Sequence, residues 1–360
     1  MTNPTTTYNI ERHDASEDRS LRPYSAADEY LLQEYNSLNN KPTKTAIYHD
    51  RFGYLSCHLH SYNPTIVVTT KSQEKAIKLN LKSNNLPSAE ISNPLSIFDA
   101  KLEFALIKIP KSLALFELYL QQITQNSTDV VIVACAFMTR HYSTKLIEIA
   151  GKYFENVKQS QALKKARLMT LTNKKNVAFA EPIETLEYNA HTYRQYWGVF
   201  SAKHIDYATQ YFMEQLELRS TDYRILDLAS GNGVIAREIM LQLPNAEIHL
   251  MDDSYLAVES GKLNIEGENV HHHYNNNLST FEDDTFDLIV TNPPFHIEYE
   301  ISIDITLQLF KECYRCLNVN GNLQIVANKH LNYLTHLKRI FPTVICVSEN
   351  NKFVVYKCLK

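Results

Sequence analysis

Asn292-Pro293-Pro294-Phe295 stands directly after the apolar run Phe286-Asp-Leu-Ile-Val. Two consecutive prolines end a hydrogen-bond ladder and fix the carbonyls beside them, while asparagine offers a neutral acceptor and phenylalanine a stacking face. These parts suit one task. The exocyclic amine of a nucleobase is a poor nucleophile because its lone pair is delocalised into the ring. If the Asn292 side-chain oxygen and the Pro293 carbonyl each accept one N–H, the nitrogen is drawn toward a pyramidal form and its lone pair is freed to attack. Asn292, Pro293, Pro294 and Phe295 are therefore the candidate catalytic residues. Positioning supplies most of the rate in such a scheme, several of the about 7–11 kcal/mol that orientation can contribute. Pro-Pro alone is no more than a strand-terminating turn, so a second motif has to decide.

That motif is Asp227-Leu-Ala-Ser-Gly231-Asn-Gly233-Val-Ile-Ala236. The chain has only 8 glycines in 360 residues, roughly a third of the usual ~7%, so two in one triplet call for a cause. Glycines let a backbone turn sharply and approach a ligand with no Cβ in the way. A dinucleotide fingerprint requires a third glycine where Ala236 stands, and a P-loop requires a Lys-Ser/Thr pair that is missing. What remains is a nucleoside bound without a phosphate cradle. S-adenosylmethionine fits, because its positive sulfonium is favoured by an acid near the turn, here Asp227. Asp252, at the end of the second strand, is the candidate acceptor for both ribose hydroxyls; its neighbour Asp253 reads equally well as a cap for the helix opening at Ser254. Among Asn275, Asn276 and Asn277, Asn276 is the candidate reader of the adenine amino group. The cofactor candidates from these motifs are Asp227, Gly231, Gly233, Asp252 and Asn276.

The elements that must position these residues alternate. Strand patterns at 223–228, 247–251, 270–274, 286–290 and 322–327 are separated by helical patterns at 234–243, stopped by Pro244, at 254–265 and at 303–317. Such alternation predicts right-handed crossovers onto a mostly parallel sheet, with ligands outside the carboxyl ends of the strands. The first half repeats the order without the chemistry. Lys78-Leu-Asn80 echoes Lys262-Leu-Asn264, and Ile132-Val-Ala echoes Ile325-Val-Ala. Phe104-Ala-Leu-Ile lies over Phe286-Asp-Leu-Ile; with one residue gapped, Ile109 falls opposite Asn292 and Pro110 opposite Pro293, and Thr70 falls near Asp252. The expected fold class is α/β, with two tandem Rossmann-like folds, the first degenerate. Asn, Lys, Glu and Pro182 interrupt the periodicity between 173 and 194, which places the join near 185 and the domains at 1–185 and 186–360.

Charge separates the halves. Residues 1–190 hold 22 Lys and Arg against 19 Asp and Glu, net +3, and residues 191–360 hold 14 against 21, net −7. From Arg140 to Lys175 there are nine basic residues and two acids, a pattern that makes either a solvated face or a nucleic-acid surface. Arg140, Lys164, Lys165 and Arg167 are the candidates for such a nucleic-acid surface, RNA-binding if the resemblance given below holds. A 44% apolar composition, a mean hydropathy of −0.31 and the lack of a twenty-residue apolar run exclude a spanning helix. The first twenty residues lack the apolar core of a signal peptide, so the expected location is cytoplasmic. Six cysteines imply no disulfide framework, and Cys313-x-x-Cys316 reads as core. His271-His272-His273 alternate faces on a strand, with no Cys or acid to complete a ligand set, so no metal is expected.

On these motifs the second half resembles the class I, Rossmann-like S-adenosylmethionine-dependent methyltransferases of the amine-methylating Asn-Pro-Pro-Phe group. Across nearly the whole chain the sequence is similar to bacterial large-subunit (23S) ribosomal RNA guanine-N2 methyltransferases. The matching stretches are Ala27-Asp-Glu-Tyr-Leu-Leu-Gln, Phe52-Gly with Leu55-Ser-Cys, Ile107-Lys-Ile-Pro-Lys with Leu113-Ala-Leu, Lys164-Lys-Ala-Arg-Leu, Val199-Phe-Ser, Asn292-Pro-Pro-Phe-His, Ala327-Asn-Lys-His-Leu and Asn350-Asn-Lys-Phe-Val-Val. The resemblance implies two tandem class I methyltransferase folds, the first stripped of its cofactor site and binding ribosomal RNA. The second would transfer the methyl of S-adenosylmethionine to the N2 of a specific guanine, with no metal and no obligate protein partner. It also implies that Phe200 and Asp206 form a cofactor lid. Two departures stand out: Ala229 replaces the usual glycine, and His204-Ile205-Asp206 replaces Gly-Leu-Asp. The rival readings are the same reaction on 16S ribosomal RNA, methylation of a protein glutamine or a DNA adenine, and a non-catalytic RNA-binding ribosome-assembly factor. The intact Asp227, Gly231, Gly233 and Asn292 argue against the last.

Overall fold

A computed structural model of the chain describes residues 7–14, 21–201, 203–293, 296–297, 300–301 and 304–360. Pro294 and Phe295, two of the four expected catalytic residues, lie outside them. The described residues divide into two compact units, the first ending at Pro182 and the second running from Ile183 to Lys360.

The first unit contains α1 (Ala26–Ser37), β1 (Thr45–Tyr48), α2 (Tyr54–His58), β2 (Thr65–Val67), α3 (Lys71–Ser83), β3 (Glu90–Ser92), β4 (Leu102–Lys108), α4 (Leu113–Gln125), β5 (Ser127–Met138), α5 (Thr144–Tyr153), β6 (Phe154–Gln159) and β7 (Ala166–Lys174). The second opens on a hairpin, β8 (Ile183–Tyr188) and β9 (His191–Tyr196), and continues through α6 (Tyr207–Glu214), β10 (Arg224–Leu228), α7 (Val234–Gln242), β11 (Glu247–Asp252), α8 (Tyr255–Asn264), β12 (Val270–Tyr274) and β13 (Phe286–Thr291). A short antiparallel pair follows, β14 (His296–Ile297) and β15 (Glu300–Ile301), then α9 (Asp304–Cys316), β16 (Leu317–Asn328), α10 (Tyr333–Leu337), β17 (Thr343–Glu349) and β18 (Phe353–Leu359).

Each unit is built on a seven-stranded sheet, and the two sheets have one topology. The orders are β3-β2-β1-β4-β5-β7-β6 and β12-β11-β10-β13-β16-β18-β17. In both, the first five strands pair in parallel, and the strand second from the far edge runs antiparallel to its two neighbours. The strand–helix alternation foresaw the parallel strands, whereas the hairpin β8–β9 lies in the stretch read as a break. Burial on both faces explains the nearly unbroken apolar strands. In the second unit Ile225, Leu288 and Val290 pack with Phe212, Ile235 and Ile239 on one face, and Leu226, Ile289 and Leu323 with Phe310, Cys313 and Cys316 on the other. All six cysteines are free, and the Cys313/Cys316 pair belongs to this core.

Strand registers fix which residues of the two units correspond. On β13–β16 a pairing irregularity lies between Phe286 and Leu288, and on β4–β5 the same irregularity lies between Leu102 and Phe104. Leu102 therefore matches Phe286, and Lys108, rather than Ile109, stands in the place of Asn292. The gapped sequence pairing missed this because an apolar strand without alternation carries no mark of its register. Carried across the parallel pairings, the same correspondence puts Ile47 at Asp227 and Val68 at Asp252. Thr70 corresponds instead to Ser254: Thr70 accepts the Gln73 amide at the start of α3, as Ser254 accepts the Ala257 amide at the start of α8.

The turn after the first strand keeps two of its three left-handed positions in both units, while the third, Gly231 (φ 56°), has no left-handed counterpart in the first. His49 (φ 63°) and Gly53 (φ 85°) match Ala229 (φ 59°) and Gly233 (φ 83°), which places Arg51 at Gly231. The paired asparagines of the sequence echo also do the same work. Asn80 Nδ2 donates to the Phe52 carbonyl at 2.8 Å, and Asn264 Nδ2 donates to the Asn232 carbonyl at 2.8 Å. The first unit has thus kept the scaffold and replaced two acids by aliphatic residues. A buried Val or Ile side chain contributes about 1.5–3 kcal/mol, where an unpaired buried carboxyl carries a cost.

The two turn glycines differ in what a methyl group would meet. A Cβ at Gly231 finds nothing within 4 Å, whereas one at Gly233 falls 2.8 Å from Ile265 Cδ1 and 3.1 Å from Leu250 Cδ2. Gly231→Ala is expected to cost about 1–2 kcal/mol of left-handed backbone. Gly233→Ala adds overpacking, for about 2–5 kcal/mol in all. Urea denaturation of the two variants checks this, and equal losses would contradict it.

Candidate active site

The carboxyl ends of β11, β10 and β13 lie side by side, and Asp227, Gly231, Asp252 and Asn292 stand on them or directly after them. Asp227, fully buried, turns toward α7, where one oxygen accepts the Ala236 amide at 3.1 Å. Its other oxygen, Oδ1, is buried without a hydrogen-bond partner. Burial pushes this carboxyl up to about 7, opposed by the Ala236 amide and reinforced by the charge of Asp252. Asp252 reaches back to the glycine turn. Its Oδ2 accepts the Gly231 amide at 2.9 Å and its Oδ1 the Ser254 amide at 2.7 Å. Burial raises it to about 6 against those two bonds. Two carboxyls that resist ionising beside open space at Gly231 suit a ligand bearing positive charge and hydroxyl donors. S-adenosylmethionine has both, so the orphaned Asp227 oxygen and the uncovered glycine fit that group.

Asn292 follows β13 directly, and Thr291 before it donates its hydroxyl to the Leu228 carbonyl at 2.7 Å, tying the ends of β10 and β13 together. The Asn292 amide nitrogen donates to Asp206 Oδ2 at 3.2 Å and to Thr209 Oγ1 at 2.9 Å. Asp206 is also the N-cap of α6, accepting the Ala208 and Thr209 amides on the same oxygen. The resemblance assigned Asp206 to a cofactor lid; here it contacts the candidate catalytic asparagine. Phe200, its expected companion, is 74% exposed in the loop between β9 and α6. Pro293 is buried next to Asn292, and Asn276 lies just beyond β12 with its backbone N–H donating to Asn275 Oδ1.

Sequence reasoning missed the buttress of the glycine turn. Asn232 Nδ2 donates to Gln195 Oε1 of β9 at 2.9 Å, and Asn264 donates to the carbonyls of Asn232 and Arg194. The echoed Lys-Leu-Asn triplets were the available signal. Thr209 was missed as well, having no motif of its own.

In the first unit the four basic candidates gather at the carboxyl end of β5. Arg140 sits in the short turn after that strand, and the Thr139 amide there donates to the Lys165 carbonyl at 2.8 Å. Lys164 and Lys165 form the left-handed turn between β6 and β7, with φ of 48° and 64°. Lys164 pairs with Glu29 at 3.0 Å, and Arg167 faces Gln159. The Lys164 side chain is 70% exposed, so that ion pair contributes little and leaves its charge available to an anion.

The histidine run behaves differently from expectation. His271 and His273 share one face, and β11 adds His249 and an acid, Glu247, to it. His249 Nδ1 lies 2.9 Å from His273 Nε2, His249 Nε2 lies 3.2 Å from Glu247 Oε1, and Arg224 holds the second Glu247 oxygen at 2.9 Å. Neutral tautomers, with His273 donating to His249 and His249 to Glu247, close this network without an ion. Burial holds His249 below the ordinary imidazole range and His273 down at about 4. Among the described residues no helix is long and apolar enough to cross a membrane.

Residues 1–175 match the RLMG N-terminal domain and residues 190–357 the methyltransferase small domain. A T. thermophilus 16S rRNA N2 methyltransferase, solved in complex with AdoMet and guanosine, aligns over 94% of this chain and 93% of its own with a TM-score of 0.76. At 18% identity that likeness speaks for the fold, two tandem class I methyltransferase folds. Ribosomal RNA large subunit methyltransferase G of Psychromonas ingrahamii is 32% identical, covering 98% of this chain and 96% of the relative. Those of Klebsiella pneumoniae and Yersinia enterocolitica are each 33% identical over 96% and 99% of the chain, covering 94% and 93% of the relatives. The chain belongs to the ribosomal RNA large subunit methyltransferase G family.

Proposed function

We propose that this methyltransferase transfers the methyl group of S-adenosylmethionine to the exocyclic N2 amine of a guanine in large-subunit ribosomal RNA. The observation that carries the reading is the position of Asn292 directly after β13, beside the strand end and turn that present Asp227, Gly231 and Asp252. When bound, S-adenosylmethionine supplies an electrophilic methyl carbon on a sulfonium. Asp227 and the open face of Gly231 would hold its charged portion, Asp252 its ribose, and Asn276 its base. Asn292 Oδ1 and the Pro293 carbonyl accept the two N–H bonds of the guanine amine, favouring a pyramidal nitrogen. Both acceptors sit on the end of a buried strand, so their geometry is set before the substrate arrives. No metal enters this chemistry.

In this reading the first unit, which ends at Pro182, binds the RNA. Its counterparts of Asp227, Gly231, Asp252 and Asn292 are Ile47, Arg51, Val68 and Lys108, which offer a cofactor no acid in place of Asp227 or Asp252 and no amide in place of Asn292. Arg140, Lys164, Lys165 and Arg167 would meet phosphates, giving affinity and position while the base is read at the other site. The reversals Lys164→Glu and Lys165→Glu are expected to weaken ribosomal RNA binding about tenfold or more at low salt and to flatten its salt dependence. Filter binding over a salt series checks this; parallel salt slopes would assign the RNA surface elsewhere. Cytoplasmic action follows from a ribosomal RNA substrate. The reading is tested by mass mapping of both ribosomal RNAs from a strain lacking the gene. Loss of one N2-methylguanosine from 23S RNA supports it; a loss confined to 16S RNA supports the small-subunit alternative.

A further inference from the structure

Asn292 can serve as an amine acceptor only if its carboxamide oxygen, not its nitrogen, is presented to the substrate. A free asparagine side chain has no such preference, because the two ends of the amide have nearly the same shape. The chain supplies the preference on the far side of the group. Asp206 carries a carboxylate, which offers acceptors alone, so the end of the amide facing it has to be the N–H2 end. Thr209 Oγ1 takes the other N–H at 2.9 Å, while the Asp206 oxygen sits at 3.2 Å. With both N–H bonds committed, Oδ1 is the end left for a substrate amine. Both partners are fixed in turn: Asp206 by its capping bonds to the first turn of α6, and Thr209, buried, by its place in that turn.

The first unit provides an independent observation. Thr209 is the third residue of α6, and Asp28 is the third residue of α1, the helix that occupies the same place against the first sheet. Asn292 corresponds to Lys108 by strand register, and Lys108 Nζ lies 2.7 Å from Asp28 Oδ2. The contact between the end of the fourth strand and the entry helix is thus present in both units with its chemistry changed at both ends together. In one, an amide is held by acceptors; in the other, an ammonium, which cannot accept an N–H bond at all, is held by an acid. Where no amine acceptor exists, the orienting threonine is absent too.

We infer that Thr209 and Asp206 are positioning residues that lock the Asn292 amide with its oxygen turned to the substrate amine. This rests on the reading of Asn292 given above. Thr209→Val keeps the side-chain shape and removes the acceptor. Its expected kcat for methyl transfer is lower by about 10²-fold, the order that a small misplacement of a catalytic group costs, with the KM for S-adenosylmethionine within about twofold. Thr209→Ser restores the acceptor and is expected to return kcat to within about threefold of the parent, which loss of helix packing alone would not do. A readout independent of turnover is the side-chain amide resonance of Asn292 in protein labelled with 15N-asparagine, identified by its disappearance in Asn292→Asp. The resonance should shift and exchange faster with water in Thr209→Val and stay in place in Thr209→Ser. An unmoved resonance in Thr209→Val, or a kcat unchanged in that variant while Asn292→Ala is inactive, overturns the positioning role and leaves the role of Asn292 standing. Full activity in Asn292→Ala overturns the reading beneath it.

Discussion

Asn292→Ala is expected to lower methyl transfer by at least about 10²–10³-fold, the order lost when one preorganised hydrogen-bonding group is removed from an active site. The affinity for S-adenosylmethionine should stay within a few-fold, because Asn292 makes no bond to Asp227, Gly231 or Asp252. Asp227 and Asp252 stand on other strands, and their bonds to Ala236, Gly231 and Ser254 do not involve Asn292. The substitution should also leave the fold intact, since the side chain is only partly buried and Thr291 keeps its own bond to the Leu228 carbonyl. Single-turnover rates together with titration calorimetry separate the two effects. Unchanged turnover would remove the assigned acceptor; lost cofactor binding would move Asn292 into the cofactor site.

The second large effect concerns pH. In the ligand-free protein Asp227 is raised to about 7 and Asp252 to about 6, both chiefly by burial. A cationic ligand with ribose hydroxyls prefers both as carboxylates, so its binding has to release protons wherever they are protonated. Affinity for S-adenosylmethionine should therefore fall as pH drops below 7, by up to about tenfold per unit, and more steeply once Asp252 also protonates. Asp227→Asn should remove the upper part of that dependence. Stability follows the opposite sign. Each acid's folded value lies above 3.8, so the stability it contributes is present below pH 3.8 and is lost as pH rises through 6 and 7. His273, at about 4, contributes stability present above 6.5 and lost as pH falls toward 4. These terms oppose each other in a melting experiment, so affinity is the clean readout. A pH-independent affinity between 5.5 and 8 would show that neither acid meets the ligand.

Much of this site was legible in the residues because its parts are local. Asp227 to Gly233 is one strand and one turn, and Asn292 is the end of another, so spacing and residue type suffice to expose both. The fold class was legible for a similar reason, since alternating periodicities demand a parallel sheet. What stayed hidden depends on pairing between distant segments. The correspondence of Lys108 with Asn292 needs the register of β4 against β5, which a continuous apolar strand does not encode. Thr209 meets Asn292 only because α6 packs on the sheet face with its first turn beside the residue that follows β13, and no local pattern marks a threonine for that role. The acid beside the histidines is likewise on a neighbouring strand, two residues before His249 and well separated from the run itself. The antiparallel hairpin β8–β9 was read as a break because most of its residues are polar and only Leu186 and Tyr193 are buried in the core.

The central claim is that this chain methylates the N2 of a guanine in large-subunit ribosomal RNA. Its most direct test is transfer of label from methyl-labelled S-adenosylmethionine to separated, unmodified 23S and 16S ribosomal RNAs, followed by nucleoside analysis. Label in 23S RNA, recovered as N2-methylguanosine and absent with Asn292→Ala, is the predicted result; label in 16S RNA alone, in a nucleoside other than N2-methylguanosine, or in neither RNA would contradict it.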